Sequence, residues 1–260
     1  MKDVVDRQSQ YIWLNSVPTD SDYSKSLAGG VNTNASIGDF QTGFDKLEDK
    51  DTIEIDFLIA PHADSAAMNT TLVNDLVATA STLRKDCVVV ASPSQASVVG
   101  NATPVTATTT EVANFTRTSY LFVDNNYLKV YDKFNDKFVN IPAASSTAGI
   151  MSASDAAAAP WFSPAGSRRG AYQGVTSLAY TPTKTERDTL YKAGVNPIAN
   201  LPGQGVLLYG DKTFMNRPSA FDRINVRRLF NVIERAVALA ARNTLFELND
   251  EFTRAEFVNI

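Results

Sequence analysis

The chain has 260 residues, of which 44% are hydrophobic and 20% are charged, and its formal net charge is -4. This composition is typical of a globular protein with a sizeable core, in one large domain or two smaller ones. It lacks the basic excess that indicates nucleic-acid binding. No apolar run is long enough to span a membrane, and the start MKDVVDRQSQ has no apolar signal region. We therefore expect neither nucleic acid nor membrane insertion.

The first part of the chain combines one predicted strand with a long polar segment. Residues 10–17 (QYIWLNSV) are rich in aromatic and β-branched side chains and predict a strand. The Gly-, Ser- and Asn-rich residues 18–38 predict a long loop or linker. A short amphipathic helix is predicted at residues 39–49, where apolar side chains recur at helical spacing.

Residues 53–91 carry the strongest fold signal, a β-α-β unit. The pattern predicts a strand at 53–60, a helix at 65–84 with Ser65 as its N-cap, and a wholly apolar strand at 86–91. A crossover helix of this length favours parallel pairing of the two strands.

The middle of the chain predicts further elements around this unit. A hairpin is expected at residues 119–132, because the sequence Asp124-Asn125-Asn126 between two strands tolerates positive φ. Either residues 175–180 or residues 206–209 should join the parallel sheet, and residues 196–205 should form an irregular loop. The other expected elements are a helix at 106–116, a helix at the alanine-rich residues 143–159, a strand at 134–141, and a packed loop at 161–170 that begins with Trp161. A helix is also expected at 183–193, where Thr183 and Glu186 form a capping-box pattern.

The C-terminal part predicts a long amphipathic helix from Asp222 to Arg242 and a second helix from about Asn249. Apolar residues share one side of the long helix, led by Leu229, Phe230, Ile233 and Val237. The other side carries Arg227, Arg228, Arg235 and Arg242. We expect the apolar side to pack on the α/β domain, which would leave these arginines for contacts with a partner. Solvation of the arginines, or pairing within the chain, stays open as the alternative.

A hydrolase site has weak support in this sequence. Asp56 and the single histidine, His62, could form a triad with a serine such as Ser163 or Ser167. However, the sequence has no G-x-S-x-G nucleophile elbow. A structural role for His62 is the favoured interpretation.

Other cofactor and nucleophile chemistry is equally weakly indicated. Cys87 opens a run of valines in a buried strand, where cysteines are usually inert. The glycines of residues 201–205 (LPGQG) precede a strand, whereas a phosphate-binding loop places them after a strand and before a helix. One cysteine and one histidine also make a zinc site improbable. We expect no catalytic, cofactor or metal site.

Several motifs occur in a recognisable order near the C-terminus: GVNPIANLP from Gly194, GQGVLLYGDKT from Gly203, INVRRL from Ile224 and FELND from Phe246. Together they closely resemble the C-terminal region of tail sheath proteins of contractile bacteriophages, especially T-even-like phages. Upstream segments resemble the same family: SYLFVDNNYLKVYD from Ser119, WFSPAGSRRG from Trp161 and ERDTLY from Glu186. The resemblance covers about residues 50 to 260.

The resemblance implies a fold, a division into domains and a mechanical function. The expected fold is α/β, a mixed sheet with a β-α-β core flanked by helices and followed by a smaller helical region. Residues 1–21 would be a strand remnant from an outer domain. Residues 22–217 would form the sheath core, with a subtilisin-like but non-catalytic topology, and residues 218–260 the helical C-terminal domain. The chain would be a fragment that lacks its N- and C-terminal portions.

The implied protein is a structural subunit of the virion, assembled in the bacterial cytoplasm, and not an enzyme. Its partners would be other sheath subunits in hexameric rings and helical stacks, the tail tube, and the baseplate and tail terminator proteins. Contraction would drive the tube through the host envelope, and the four arginines would face the tube or a neighbouring subunit. A sheath of a bacterial contractile injection device is the alternative, with an α/β hydrolase much less favoured.

Overall fold

The computed structural model describes residues 35–242 and 245–259. The predicted strand at residues 10–17 and most of the polar segment after it lie outside the described residues. The first described helix is α1 (Ile37–Phe44), which begins at a capping box. The Ser36 side chain accepts a hydrogen bond from the Asp39 amide, and the Asp39 carboxylate accepts one from the Ser36 amide. With the 3₁₀ turn Asp45–Leu47, this confirms the helix predicted at 39–49, which begins two residues earlier than expected.

The predicted β-α-β unit is confirmed. Strand β1 (Phe57–Ile59) pairs in parallel with β2 (Val88–Ala91), and helix α2 (Ala66–Ala78) connects them. Helix α2 begins at Ser65, whose hydroxyl accepts a hydrogen bond from the Met68 amide. Strand β1 is shorter than predicted. Arg84 and Arg235 donate to the carbonyls of Ile53 and Ile55, so these residues bond to side chains and not to a neighbouring strand.

A π-helical turn at Thr79–Arg84 ends the first crossover helix and changes which side chains it buries. The turn closes at Lys85 with φ 65°, in the left-handed region. Leu83 is exposed, whereas Arg84 is fully buried. A π turn adds a residue to the helical repeat, so the buried face moves along the sequence by one position.

The third strand of the parallel sheet is β3 (Leu121–Val123), which pairs with β2. The prediction that residues 175–180 or 206–209 would join this sheet is wrong. Two short helices, α3 (Gln95–Val98) and α4 (Pro104–Val112), form the crossover from β2 to β3. The outer edge of β3 is bonded instead by the amides of Asn196 and Phe214, which donate to the carbonyls of Val123 and Leu121.

The predicted hairpin at residues 119–132 is also wrong, because its two strands belong to different sheets. Strand β4 (Tyr127–Asp132) pairs antiparallel with β5 (Lys137–Pro142) and with β6 (Ser177–Leu178). The residues between β3 and β4 are completely buried, and side chains satisfy the local backbone. Asn125 Oδ1 accepts a hydrogen bond from the Ile198 amide, at 2.7 Å. The segment therefore crosses between sheets and does not reverse the chain.

The remaining elements surround these sheets. Helix α5 (Ala144–Ala157) confirms the alanine-rich prediction, and α6 (Lys184–Ala193) has the predicted capping box and ends at Gly194 with φ 91°. The irregular loop predicted at residues 196–205 is wrong. The segment contains strand β7 (Ile198–Leu201), which forms a hairpin with β8 (Gly205–Leu208), and Gly203 and Gly205 supply the positive φ angles.

The parallel sheet has an apolar layer on each face. Val89 contributes to the layer on the side of α2, together with Leu76. Val88 and Val90 point the other way, into a layer that contains Met151 of α5. This alternation explains why β2 is a continuous apolar run, as expected of a strand buried on both sides.

The loop from Trp161 to Gly170 is tight, but Trp161 does not anchor it. The Trp161 side chain is 46% exposed, so the expected packing of this residue is wrong. The constraint lies at Gly170 instead, where an added Cβ would be 2.9 Å from backbone atoms of Gly166 and Pro164.

We expect Gly170→Ala to lower the free energy of unfolding by about 1–3 kcal/mol, because backbone atoms must move to admit the methyl group. The matched control is Gly149→Ala in α5, where a Cβ meets no atom within 4 Å. That change should raise stability by about 0.5–1 kcal/mol, since alanine favours a helix over glycine. Urea unfolding of both variants checks the pair, and a Gly170→Ala protein as stable as the parent would contradict the clash.

Candidate functional site

The long helix and the segment after it are the elements that the sequence assigned to partner contacts. Helix α7 (Ile224–Arg242) and helix α8 (Glu251–Asn259) confirm the two predicted helices. A 3₁₀ turn at Ala220–Asp222 leads into α7, with the Ser219 hydroxyl accepting a hydrogen bond from the Phe221 amide.

The first two arginines of α7 lie inside the protein. Arg227 and Arg228 are only 6% and 5% exposed. The Arg227 guanidinium lies between two rings, 4.3 Å from the centroid of Tyr120 and 4.1 Å from that of Phe221, and donates to the Tyr120 hydroxyl at 3.1 Å. Arg228 pairs with Asp155 of α5.

The last two arginines also pair within the chain, but closer to the surface. Arg235 Nη1 is 2.8 Å from Asp56 and 3.1 Å from Glu54, and its Nη2 donates to the Ile55 carbonyl at 2.9 Å. Arg242 forms an ion pair with Asp51 at 2.7 Å. Both partners of that second pair are mostly exposed, so it contributes only about 0–1 kcal/mol.

The apolar side of α7 faces outward, and the prediction that it packs on the α/β domain is wrong. Phe230, Ile233 and Val237 are 38%, 44% and 49% exposed, and only Leu229 of the four leading residues is half-buried. The reason is the chemistry of the surface beneath α7, which offers Asp56, Asp155 and strand-end carbonyls as acceptors. Arginines match that surface better than apolar side chains do.

The predicted contact of Arg227, Arg228, Arg235 and Arg242 with a tube or a neighbouring subunit stays a prediction. The structure gives each of the four an acceptor within the described part of the chain. The partners of Arg227 and Arg228 bury them, whereas the Arg242 side chain is 61% exposed.

A cleft runs along the C-terminal half of α7, with a volume of about 830 Å³. Residues 50–54 and 82–86 form its other wall. Its lining mixes charged groups with apolar side chains that water reaches, namely Leu83, Val232 and Leu239. Sequence periodicity did not indicate this cleft, because the π turn that exposes Leu83 has no sequence signature.

The structure does not bring a catalytic triad together within the described residues. His62 Nε2 is 3.0 Å from Asp64, and its Nδ1 is 3.4 Å from the Tyr127 hydroxyl. Ser163 donates to Asp211, and Asp56 pairs with Arg235. Ser167 is exposed and forms no hydrogen bond with His62.

Cys87 and the glycine loop have structural positions. Burial raises the pKa of the Cys87 thiol to about 12, which keeps it protonated and unreactive. Residues 201–205 contain the last pair of the β7–β8 hairpin, Leu201 and Gly205, and the turn between them. In the described part of the chain, no group of three His, Cys, Asp or Glu side chains could hold a metal, and no helix has the length and apolarity to cross a bilayer.

A buried polar network at the crossing between the sheets is a feature that the sequence did not predict. Asp124 is completely buried, and its carboxyl oxygens lie 2.8 Å from the Ser92 hydroxyl and 3.2 Å from that of Thr147. The Thr147 hydroxyl is 2.7 Å from the Tyr172 hydroxyl. Burial raises the pKa of Asp124 to about 7. The only sequence signal was three polar residues directly after an apolar strand.

The fold of this chain is similar to that of two solved sheath structures. It matches the cryo-EM structure of the anti-feeding prophage helical sheath in the contracted state with a TM-score of 0.66 and 21% identity. The match covers 87% of this chain and 57% of that one. The sheath complex of an extracellular contractile injection system, PVC, matches with a TM-score of 0.60 and 21% identity, over 80% of this chain and 54% of that chain.

The sequence then identifies the family. The model of the phage tail sheath protein central domain matches residues 30–214, so the chain belongs to the phage tail sheath family. It is 39% identical to the tail sheath protein of Vibrio phage KVP40 and 35% identical to that of Enterobacteria phage T4. Each alignment covers 89% of this chain and 37% of the relative, so the chain spans little more than a third of their length.

Proposed function

We propose that this chain is the core of a structural subunit of a contractile phage tail sheath. The subunit polymerises around the tail tube and contracts to drive the tube through the host envelope, as part of the virion and without enzymatic activity. The family match over residues 30–214 carries this proposal. In the proposed division, residues 22–217 are the sheath core and residues 218–260 the start of a helical C-terminal domain.

The proposed partners are other sheath subunits, and structures of the same fold belong to a helical sheath and to a baseplate. Contacts with the tail tube and the tail terminator, and an arrangement in hexameric rings, are finer parts of the same proposal. Of the four arginines, Arg242 has the exposure that a contact with the tube requires.

A sheath of a bacterial contractile injection device is the second candidate, because the solved structures of this fold include such machines. The sequence relatives favour a phage, since those at 35–43% identity are phage tail sheath proteins.

The test is assembly of the full-length protein that contains this chain. We expect helical tubes in electron micrographs, and extended sheaths when the tail tube protein is present. A full-length protein that stays a dispersed monomer with and without the tube would contradict the proposed function.

A further inference from the structure

Formal charge is distributed unevenly along this chain. Residues 39–56 contain seven aspartates and glutamates and two lysines, which gives the stretch a net charge of -5. Residues 160–223 contain eight lysines and arginines and four carboxylates, which gives a net charge of +4. The total of -4 for the whole chain therefore conceals two charged regions of opposite sign and similar magnitude.

Helix α7 separates these two regions in space. At its C-terminal end, Arg242 pairs with Asp51 of the acidic stretch at 2.7 Å. At its N-terminal end, the Ile224 amide donates to the carbonyl of Asp211, in the basic stretch, at 2.8 Å. The helix has 19 residues, so its ends are about 27 Å apart at 1.5 Å per residue. At physiological ionic strength charges are screened beyond about 8 Å, so the two regions cannot neutralise each other within one chain.

Five cations of the basic stretch, which we call the basic patch, share the lack of a carboxylate partner: Arg168, Arg169, Lys184, Arg187 and Lys212. Among residues 35–242 and 245–259, none of them has a carboxylate oxygen within 4.0 Å. In contrast, Arg223 of the same stretch pairs with Asp211 at 2.5 Å. The charge of the basic patch is therefore open to a carboxylate from outside.

Backbone contacts bring the members of the basic patch together around the end of β8. The Gly166 amide donates to the Leu208 carbonyl, and the Leu208 amide donates to the Gly170 carbonyl, so the loop with the first two arginines lies against β8. The Arg187 guanidinium lies over the ring of Tyr209, the residue that follows β8, at 5.9 Å from its centroid.

The remaining members lie along one face of α6. Lys184, Arg187 and Tyr191 share that face, because they are spaced by three and four residues. Lys212 Nζ is 4.0 Å from the centroid of the Tyr191 ring. Aromatic rings attract these cations without neutralising their charge, so the N–H groups stay available to a partner.

The acidic stretch offers a matching surface. Asp45, Glu48 and Asp49, which we call the acidic ridge, are exposed, and in the described part of the chain none has a cationic group within 4.0 Å. Asp45 and Glu48 are three residues apart across the 3₁₀ turn after α1, so they project on the same side. The carboxylates of the acidic ridge therefore form one compact surface.

We propose that the basic patch binds the acidic ridge of a second copy of this chain. The guanidinium groups of Arg168, Arg169 and Arg187 suit forked donation to carboxylates, and the opposite charges of the two surfaces nearly balance when they meet. The proposal deepens the proposed sheath function and rests on it for the presence of many copies. Each copy offers its ridge to one neighbour and its patch to another, and such heterologous contacts extend into rings or open helices.

Charge reversal in the full-length protein, without the tail tube protein, tests the contact. The ridge variant carries Asp45→Lys and Glu48→Lys, and the patch variant carries Arg168→Glu and Lys184→Glu. Sedimentation should show at least about tenfold less polymer for each variant alone, because like charges then face each other across the contact. An equal mixture of the two should polymerise again, since the reversed ridge of one variant matches the reversed patch of the other. That recovery also shows that both variants are folded.

The control carries Lys133→Glu and Lys137→Glu on the β4–β5 hairpin. Both lysines are exposed, and the substitution makes the same change in net charge as in the patch variant. It should polymerise like the parent, and an equal loss in the control would overturn the contact. A mixture that polymerises no better than either variant alone would also overturn it, because the ridge and the patch would then be bound within their own chains.

The two proposals fail in different ways. If the parent and both charge variants form tubes equally well, this contact is wrong and the sheath function stands. If no protein forms tubes with or without the tube protein, the sheath function fails. Sedimentation at low salt then measures the contact by itself: the ridge and patch variants should associate with each other but not with themselves, and a mixture that stays monomeric would overturn the contact.

Discussion

We expect Arg84→Met to lower the free energy of unfolding by about 3–5 kcal/mol, the largest effect of any single substitution proposed for this chain. Arg84 is 1% exposed, and its guanidinium is the meeting point of three segments. It donates to the carbonyls of Leu47 and Ile53 at 2.7 and 2.8 Å, and it forms a two-point ion pair with Asp86. Methionine fills a similar volume but leaves two carbonyls and a partly buried carboxylate without their main donor.

Two control variants separate this geometry from charge alone. Arg84→Lys keeps the charge but cannot donate in a fork to Asp86 and two carbonyls at once, so we expect a loss of about half as much. Arg242→Met removes an ion pair whose two side chains are mostly exposed and should cost at most about 1 kcal/mol. Chemical denaturation with urea measures all three, and similar losses for the variants at 84 and 242 would contradict the buried network.

The same residue also holds one wall of the cleft beside α7. Arg84 binds the carbonyls of Leu47 and Ile53, and Lys50, Asp51 and Thr52 of the segment between them line the cleft. Loss of this anchor should therefore loosen the cleft as well as the core.

The parts of the fold that the sequence predicted are those set by local pattern. Ser65 and the pair Thr183 and Glu186 fixed the starts of two helices, because N-caps act within three residues. The apolar run at Val88–Ala91 indicated a buried parallel strand, because this pattern also lies within a few consecutive residues. These features depend on nothing distant in the chain.

The parts that failed depend on contacts between distant segments. The polar residues after β3 suggested a hairpin turn, but Asn125 and Asn126 bond to residues 198 and 180, more than fifty positions away. For α7, periodicity correctly separated an apolar side from an arginine side. Which side turns inward was decided by the acceptors beneath it, such as Asp56 and Asp155, and a single helix pattern contains no information about them.

The last prediction concerns pH and the buried Asp124. Its pKa is about 7 in the folded protein, because burial disfavours the charged carboxylate, against about 3.9 for an aspartate in an unfolded chain. Between these two values the folded state holds a proton that the unfolded state has released. Stability from this residue is therefore complete below pH 4 and is lost as pH rises toward 7. The total change is about 4 kcal/mol, from roughly three pKa units at 1.36 kcal/mol each.

Asp124→Asn isolates this contribution. The amide keeps the size of the carboxyl group and can accept from Ser92. Its NH₂ group can donate to the Thr147 hydroxyl, which in the parent donates to the Asp124 carboxylate. We expect the variant and the parent to have similar stability near pH 4, and the variant to be more stable by a few kcal/mol at pH 8. Exposed carboxylates whose pKa is lowered, such as Asp39 and Glu186, oppose this trend equally in both proteins and cancel in the difference.

Urea unfolding of both proteins at several pH values from 4 to 8 measures this difference directly. A difference that grows steadily with pH and levels off above 7 is the expected result. Asp124→Ala serves as the control for lost hydrogen bonds, since it should be destabilised at pH 4, where the parent carboxyl is neutral and fully bonded. A constant difference between Asp124→Asn and the parent across this range would mean that the carboxyl does not change its protonation, and that the crossing between the two sheets holds a permanent buried charge.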